Sequence, residues 1–127
     1  MKRHTAQWVL KAEDDMRVAR NEAATAIPAR DAVCFHCQQA AEKYLKVLLV
    51  ELGLAVPRTH DLEGLLDLLV PHDSTLTPLR RGLQSLTQYA VEYRYPGVRA
   101  TTRRMQAALR HTERVRSELR GRLGLAK

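Results

Sequence analysis

The residue types able to do chemistry in this chain are cysteine, histidine and arginine, and their spacing decides which chemistry is open. Cys34-Phe35-His36-Cys37 has the outline of a redox or metal motif. If the segment is helical, Cys34 and Cys37 share one face, and that face carries Ala41, Tyr44, Leu45, Leu48 and Leu52. There is no second cysteine pair, and the next histidine after 36 is His60, so four zinc ligands are not assembled. Haem attachment requires histidine directly after the second cysteine, and position 38 is Gln. Two structural cysteines facing a core is the expectation. No Glu precedes a His by three residues, which removes the di-iron pattern of some helical bundles. Serine appears only at 74, 85 and 117, and no phosphate loop or nucleophile elbow is present.

Arginine and histidine remain. Cleaving RNA without a metal needs a base for the 2′-hydroxyl and a cation for the phosphorane, and these two side chains supply them. Arg30 and His36 are separated by five residues, and Arg104 and His111 by six. Such spacings also arise by chance in a chain with 21 Lys and Arg and five His. Charge is distributed unevenly. Residues 1–96 carry twelve basic and twelve acidic side chains, whereas residues 97–127 carry nine basic ones against Glu113 and Glu118. The net charge of +7 therefore lies in the last quarter. It suits either an anionic partner, such as nucleic acid, nucleotide or an acidic protein, or a solvated arginine-rich helix face.

The elements that must position these residues are helices. At 127 residues, with 45% hydrophobic and 28% charged side chains, the chain fits one soluble domain, 1–127, able to fold without disulfide or metal. The longest apolar runs, 47–50 and 65–70, are far short of a membrane span. No signal peptide is visible, and the expected address is the cytoplasm. Apolar residues recur at helical spacing in five segments. The first, about 5–26, has Val9, Ala12, Met16, Ala19 and Ala23, widened by Trp8, and stops before Pro28. The second, about 30–52, closes on Gly53, with Glu42 and Lys46 four apart in the order that stabilises a helix if the pair is exposed. The third, about 60–70, is short, with Thr59 or Asp61 as its cap and His60 free to cap it or to bond a neighbouring helix. The fourth, about 76–94, starts at Thr77-Pro78 or one turn earlier at Ser74, and breaks at Tyr95-Pro96-Gly97. The fifth, about 99–122, turns Met105, Ala108, Thr112, Val115, Leu119 and Leu123 inward. No strand-like alternation occurs. The expected fold is all-α: an up-and-down four-helix bundle with one additional short helix.

The segment from Phe35 to Lys46 (Phe-His-Cys-Gln-Gln-Ala-Ala-Glu-Lys-Tyr-Leu-Lys) resembles the second-helix signature of the HEPN domain family. Gly53, then Thr59-His60-Asp61-Leu62 and Leu65-Leu66, resembles the family's next landmark. Tyr93-Arg94-Tyr95-Pro96 resembles the Arg-Tyr-Pro motif that ends the family's fourth helix, and Trp8, Lys11, Ala12, Asp15 and Ala19 fit its first. The resemblance runs in order along nearly the whole chain. It implies four main helices and a short one, homodimers, and pairing with a small nucleotidyltransferase encoded next door. Some branches are ribonuclease toxins whose motif is Arg, a polar residue, then His after four to six intervening positions.

Arg94 matches the arginine of that motif and Tyr95 stands at the polar position. The histidine is missing, since 99, 100 and 101 are Arg, Ala and Thr. The resemblance therefore leans away from an enzyme and towards a module that binds nucleotide or RNA phosphate, docks a nucleotidyltransferase, or both, in a toxin–antitoxin-like setting. The candidate ligand-binding residues are Arg94, Tyr95, Arg99, Arg103, Lys43 and Lys46. Ordinary surface charge is the alternative for the two lysines. For Arg94 the alternative is an anchor that closes the helix end on carbonyls or Glu92, and for Tyr93 and Tyr95 it is packing and dimer contact. No metal site and no cofactor are expected. The competing readings are a metal-independent ribonuclease using Arg94 with His36 or His111, and a dimerisation or docking protein without a ligand.

Overall fold

The computed structural model describes residues 1–93 and 95–127, apart from the side chain of Ala90. Five α-helices follow one another: α1 Arg3–Ala23, α2 Arg30–Glu51, α3 Leu62–Leu69, α4 Arg80–Glu92 and α5 Thr102–Arg122, with a 3-10 turn, Ser74–Leu79, leading into α4. Among the described residues there is no strand. The expected all-α bundle with one short extra helix is the fold observed.

Side-chain contacts fix the directions. Lys2 meets Glu51 and Lys43 meets Asp15, so α1 and α2 are antiparallel. Arg30 meets Ala100 and Cys37 meets Thr112, so α5 runs with α2. Arg104 meets Glu92, so α4 opposes α5. The long helices thus run up, down, up, down, and α3 with the 3-10 turn forms the crosspiece between α2 and α4. The α1–α2 and α4–α5 loops consequently lie at the same end of the bundle.

α2 is the central helix, packed against each of the other four. That position corrects the expectation for Glu42 and Lys46. Rather than an exposed pair, both are buried, together with Gln38. The apolar stripes are otherwise placed as expected, except at helix ends, where Leu52 is exposed and Ala23 and Leu123 are only partly buried. Val9, Ala12, Met16 and Ala19 of α1 and Met105, Ala108, Val115 and Leu119 of α5 are buried, as is Thr112.

Helix ends depart from expectation where local bonds win. α1 stops at Ala23 rather than near 26, because Thr25 Oγ1 turns back to donate to the Glu22 carbonyl at 2.8 Å. The fourth helical segment opens at Asp73, whose carboxylate accepts from Thr75 N at 3.1 Å. Pro78 lies inside the 3-10 turn instead of at a first helical position. α4 ends at Glu92, and Tyr95-Pro96-Gly97-Val98 makes a turn closed by Val98 N donating to Tyr95 O at 3.4 Å. Gly97 has φ +86, which a turn with proline second and glycine third requires. Gly53, with φ +72, closes α2 in the left-handed conformation expected of a helix-ending glycine.

Candidate functional site: the elbow between the fourth and fifth helices

Arg94 lies outside the described residues, so its place relative to the other candidates is not described. The anchor considered for it, Glu92, is taken by Arg104, whose Nη1 donates to Glu92 Oε2 at 3.1 Å and to the Tyr93 hydroxyl at 2.6 Å. Tyr95, Arg99 and Arg103 are exposed, on the loop and first turn that connect α4 to α5. Arg99 lines a cleft of about 350 Å³ with Ile27, Pro28, Arg30 and Asp31 from the opposite loop and the start of α2.

A two-handed clamp holds this elbow in place. Asp31 Oδ1 accepts from Ala100 N at 2.7 Å, and Arg30 Nε donates to Ala100 O at 2.6 Å. Both polar groups of a fully buried residue are thereby satisfied. The Thr101 side chain accepts from Arg104 N and caps α5. Among the described residues, neither Arg99 nor Arg103 is paired with a carboxylate, whereas Arg20, Arg80, Arg104, Arg116, Arg120 and Arg122 all are. Two helices, α2 and α5, begin at this end and two, α1 and α4, end there, so the helix dipoles offset one another and the unpaired Arg99 and Arg103 supply the positive charge. Geometry and charge together suit the end to a phosphate.

The remaining candidates are not brought to the elbow. The Lys43 ammonium is paired with Asp15 on α1, and Asp15 also holds His36 Nδ1 at 2.9 Å. Lys46 Nζ donates to Glu42 at 3.2 Å, and Glu42 meets His60 Nδ1 at 2.7 Å. These contacts make the two lysines internal charge partners of α1 and α2, and they make His60 a bond between the α3 approach and α2.

The two histidine spacings also come apart. Arg30 and His36 are about 120° apart around α2, so one faces Ala100 while the other faces Asp15. Arg104 and His111 share a face of α5 but stand two turns, about 10 Å, apart. His111 sits against Gly82 of α4. Its titration is pushed down by burial and by the charges of Arg110 and Arg114.

Cys34 and Cys37 are fully buried and unbridged. Burial pushes their thiols up to about 11 and about 12, the opposite of an activated pair. Among the described residues, no group of three or more His, Cys, Asp or Glu is placed to hold a metal ion. Within the same limits, no helix is long and apolar enough to cross a membrane.

Sequence reasoning missed the most connected polar cluster. Glu13 Oε1 accepts from the Tyr44 hydroxyl at 2.5 Å, Arg116 Nε at 3.0 Å and Arg120 Nη1 at 2.8 Å. Burial alone raises the Glu13 carboxyl, but the bonds from Tyr44 and Arg116 and the two guanidinium charges outweigh it and hold it below the ordinary range. Burial and the same carboxylate push the Tyr44 hydroxyl well up. The cluster ties α1, α2 and α5 together. Arg116 and Arg120, four apart on one helix face, were the available signal, but nothing local pairs them with residues 13 and 44.

The family model described as the HEPN domain matches residues 5–122 of the chain. The crystal structure of an archaeal HEPN homologue is similar, with a TM-score of 0.70 and 26% identity over 96% of this chain and 98% of that one. No curated protein matches the sequence. A bundle with these helices in this order, matched by that family over nearly its full length, belongs to the HEPN domain family.

Proposed function

We propose that this HEPN-family chain is a non-catalytic helical module that binds nucleotide or RNA phosphate at the α4–α5 elbow and docks a partner there. The observation that carries the reading is the pair Arg99 and Arg103, exposed and without a carboxylate among the described residues, beside a cleft clamped open by Arg30 and Asp31. Binding rather than cleavage is favoured because His36 is committed to Asp15, and His111 stands away from the elbow against Gly82. The partner function rests on exposed apolar residues of the two loops, Ile27, Tyr95 and Val98. A patch of that kind suits a second copy of the chain or a small nucleotidyltransferase.

The test is RNA binding across a salt series, in EDTA, with product analysis on a denaturing gel. Each phosphate contact contributes about −0.7 to the log–log salt slope on a single strand. Arg99→Ala with Arg103→Ala is expected to flatten the slope by about 1.4 and leave the RNA intact. An unchanged slope refutes the elbow as the phosphate site. Cleaved RNA refutes the non-catalytic reading and returns attention to Arg94, His36 and His111. Sedimentation of the wild type beside Ile27→Asp tests whether the loops carry a dimer contact.

A further inference from the structure

A second basic cleft lies further along α5, where Arg114 is about 16 Å along the helix axis from Arg103. Its volume is about 320 Å³, at the small end of the range for ligand sites. The floor is apolar, from Pro78, Leu79 and Val115. The walls carry Arg81 from α4 and Arg114 and His111 from α5. No carboxylate lines it.

Three features set this cleft apart from ordinary arginine-rich surface. First, Gly82 stands inside α4, where glycine costs roughly 1 kcal/mol against alanine. A Cβ there would lie 2.9 Å from His111 Nδ1 and 3.2 Å from its Cγ, so the glycine makes room for the imidazole. Second, the flanking arginines on either side are neutralised: Arg80 by Glu63 and Asp67, and Arg122 by Asp73 and Glu118. Arg81 and Arg114 have no acidic partner among the described residues. Third, the His111 ring makes no hydrogen bond among the described residues, although it is half-buried. Burial and the adjacent guanidinium charges keep it neutral near pH 7, with one nitrogen as donor and the other as acceptor.

We infer that this cleft is a binding site for a small phosphomonoester, with Arg81 and Arg114 on the phosphate, His111 supplying a hydrogen bond, and Pro78, Leu79 and Val115 against the organic body. Two guanidiniums balance the dianion of a monoester better than the single charge of an internal phosphodiester. Their planar forks match its oxygens. The site is independent of the elbow, and neither needs the other.

The test is NMR titration of the full-length protein, following the His111 ring and Val115 methyl signals. The probes are inorganic phosphate, phenyl phosphate, and sodium chloride at matched ionic strength. Saturable shifts with phenyl phosphate and none with chloride are expected. Arg81→Ala and Arg114→Ala should each weaken binding about tenfold, while Arg17→Ala on α1 leaves it unchanged. Circular dichroism of each variant establishes that it is folded. Saturation by inorganic phosphate at the same affinity as phenyl phosphate refutes the role of the apolar floor. Shifts that follow ionic strength alone, or that survive both arginine substitutions, overturn the site. Equal occupation by an RNA oligonucleotide lacking terminal phosphates overturns the monoester in favour of a strand.

Discussion

Glu13→Ala tests the central physical claim about this bundle, that one carboxylate fastens three helices. Removing it leaves the Tyr44 hydroxyl without an acceptor at a residue that is fully buried. That alone costs about 1–3 kcal/mol. Arg116 and Arg120 also lose their partner, with each side chain 17% exposed. A fully buried pair broken on one side costs about 3–5 kcal/mol, but here water reaches a quarter of Glu13, and Arg120 keeps its bond to the Ala126 carbonyl. The expected loss is therefore about 2–4 kcal/mol in all, read from urea unfolding at pH 7. Glu13→Gln, which retains an acceptor, should lose about half of that. Asp14→Ala is the control, since its pair with Arg17 is largely exposed and should change stability by under about 0.5 kcal/mol. The pH dependence follows from the lowered carboxyl. Its contribution is complete above the unfolded value, near 4.3, and is lost as pH falls through the folded value. The gap between wild type and Glu13→Ala should thus hold at pH 7 and close in acid. A loss no larger than that of Asp14→Ala refutes the reasoning.

Other perturbations have equally definite outcomes. Gly82→Ala should destabilise the fold despite its better helix propensity, and His111→Ala should reverse the loss, so that a thermal-unfolding double-mutant cycle shows coupling of about 1 kcal/mol or more. Cys34 and Cys37, raised to about 11 and about 12, should resist a thiol reagent at pH 8 in the native protein and react promptly in denaturant. Asp31→Ala releases the buried Ala100 amide and should cost about 1–2 kcal/mol, seen as faster hydrogen exchange at the start of α5.

The fold was legible because each helix carries its own apolar stripe at helical spacing. Four of the segments also end on proline or glycine within a few residues. Where the reading failed, tertiary position was the cause. Glu42 and Lys46 look like a surface pair in any local window, and only the central place of α2, packed against every other helix, buries them. The 3-10 opening before α4 was hidden for a related reason. Thr77-Pro78 is a plausible helix start, but Asp73 captures Thr75 N four residues earlier and fixes the chain first.

The sites follow a different logic, because a charge becomes functional only when it is left over. A count of arginines in residues 97–127 marks the basic quarter but does not rank its members. Pairing ranks them. Glu113 takes Arg20, Glu13 takes Arg116 and Arg120, and Asp73 with Glu118 takes Arg122. Every one of these bonds except that of Arg122 with Glu118 joins residues far apart in sequence, so the subtraction cannot be done before the chain is folded. What survives it within that quarter is Arg99 and Arg103 at the elbow and Arg110 and Arg114 further along α5, and Arg81 of α4 joins Arg114 beside His111. Arg99 and Arg114 each line a cleft, at different heights along the bundle. An electrostatic surface that looks uniform in composition is therefore divided by the fold into two separate places able to meet an anion. Binding at one should be lost without the other when their arginines are replaced in turn.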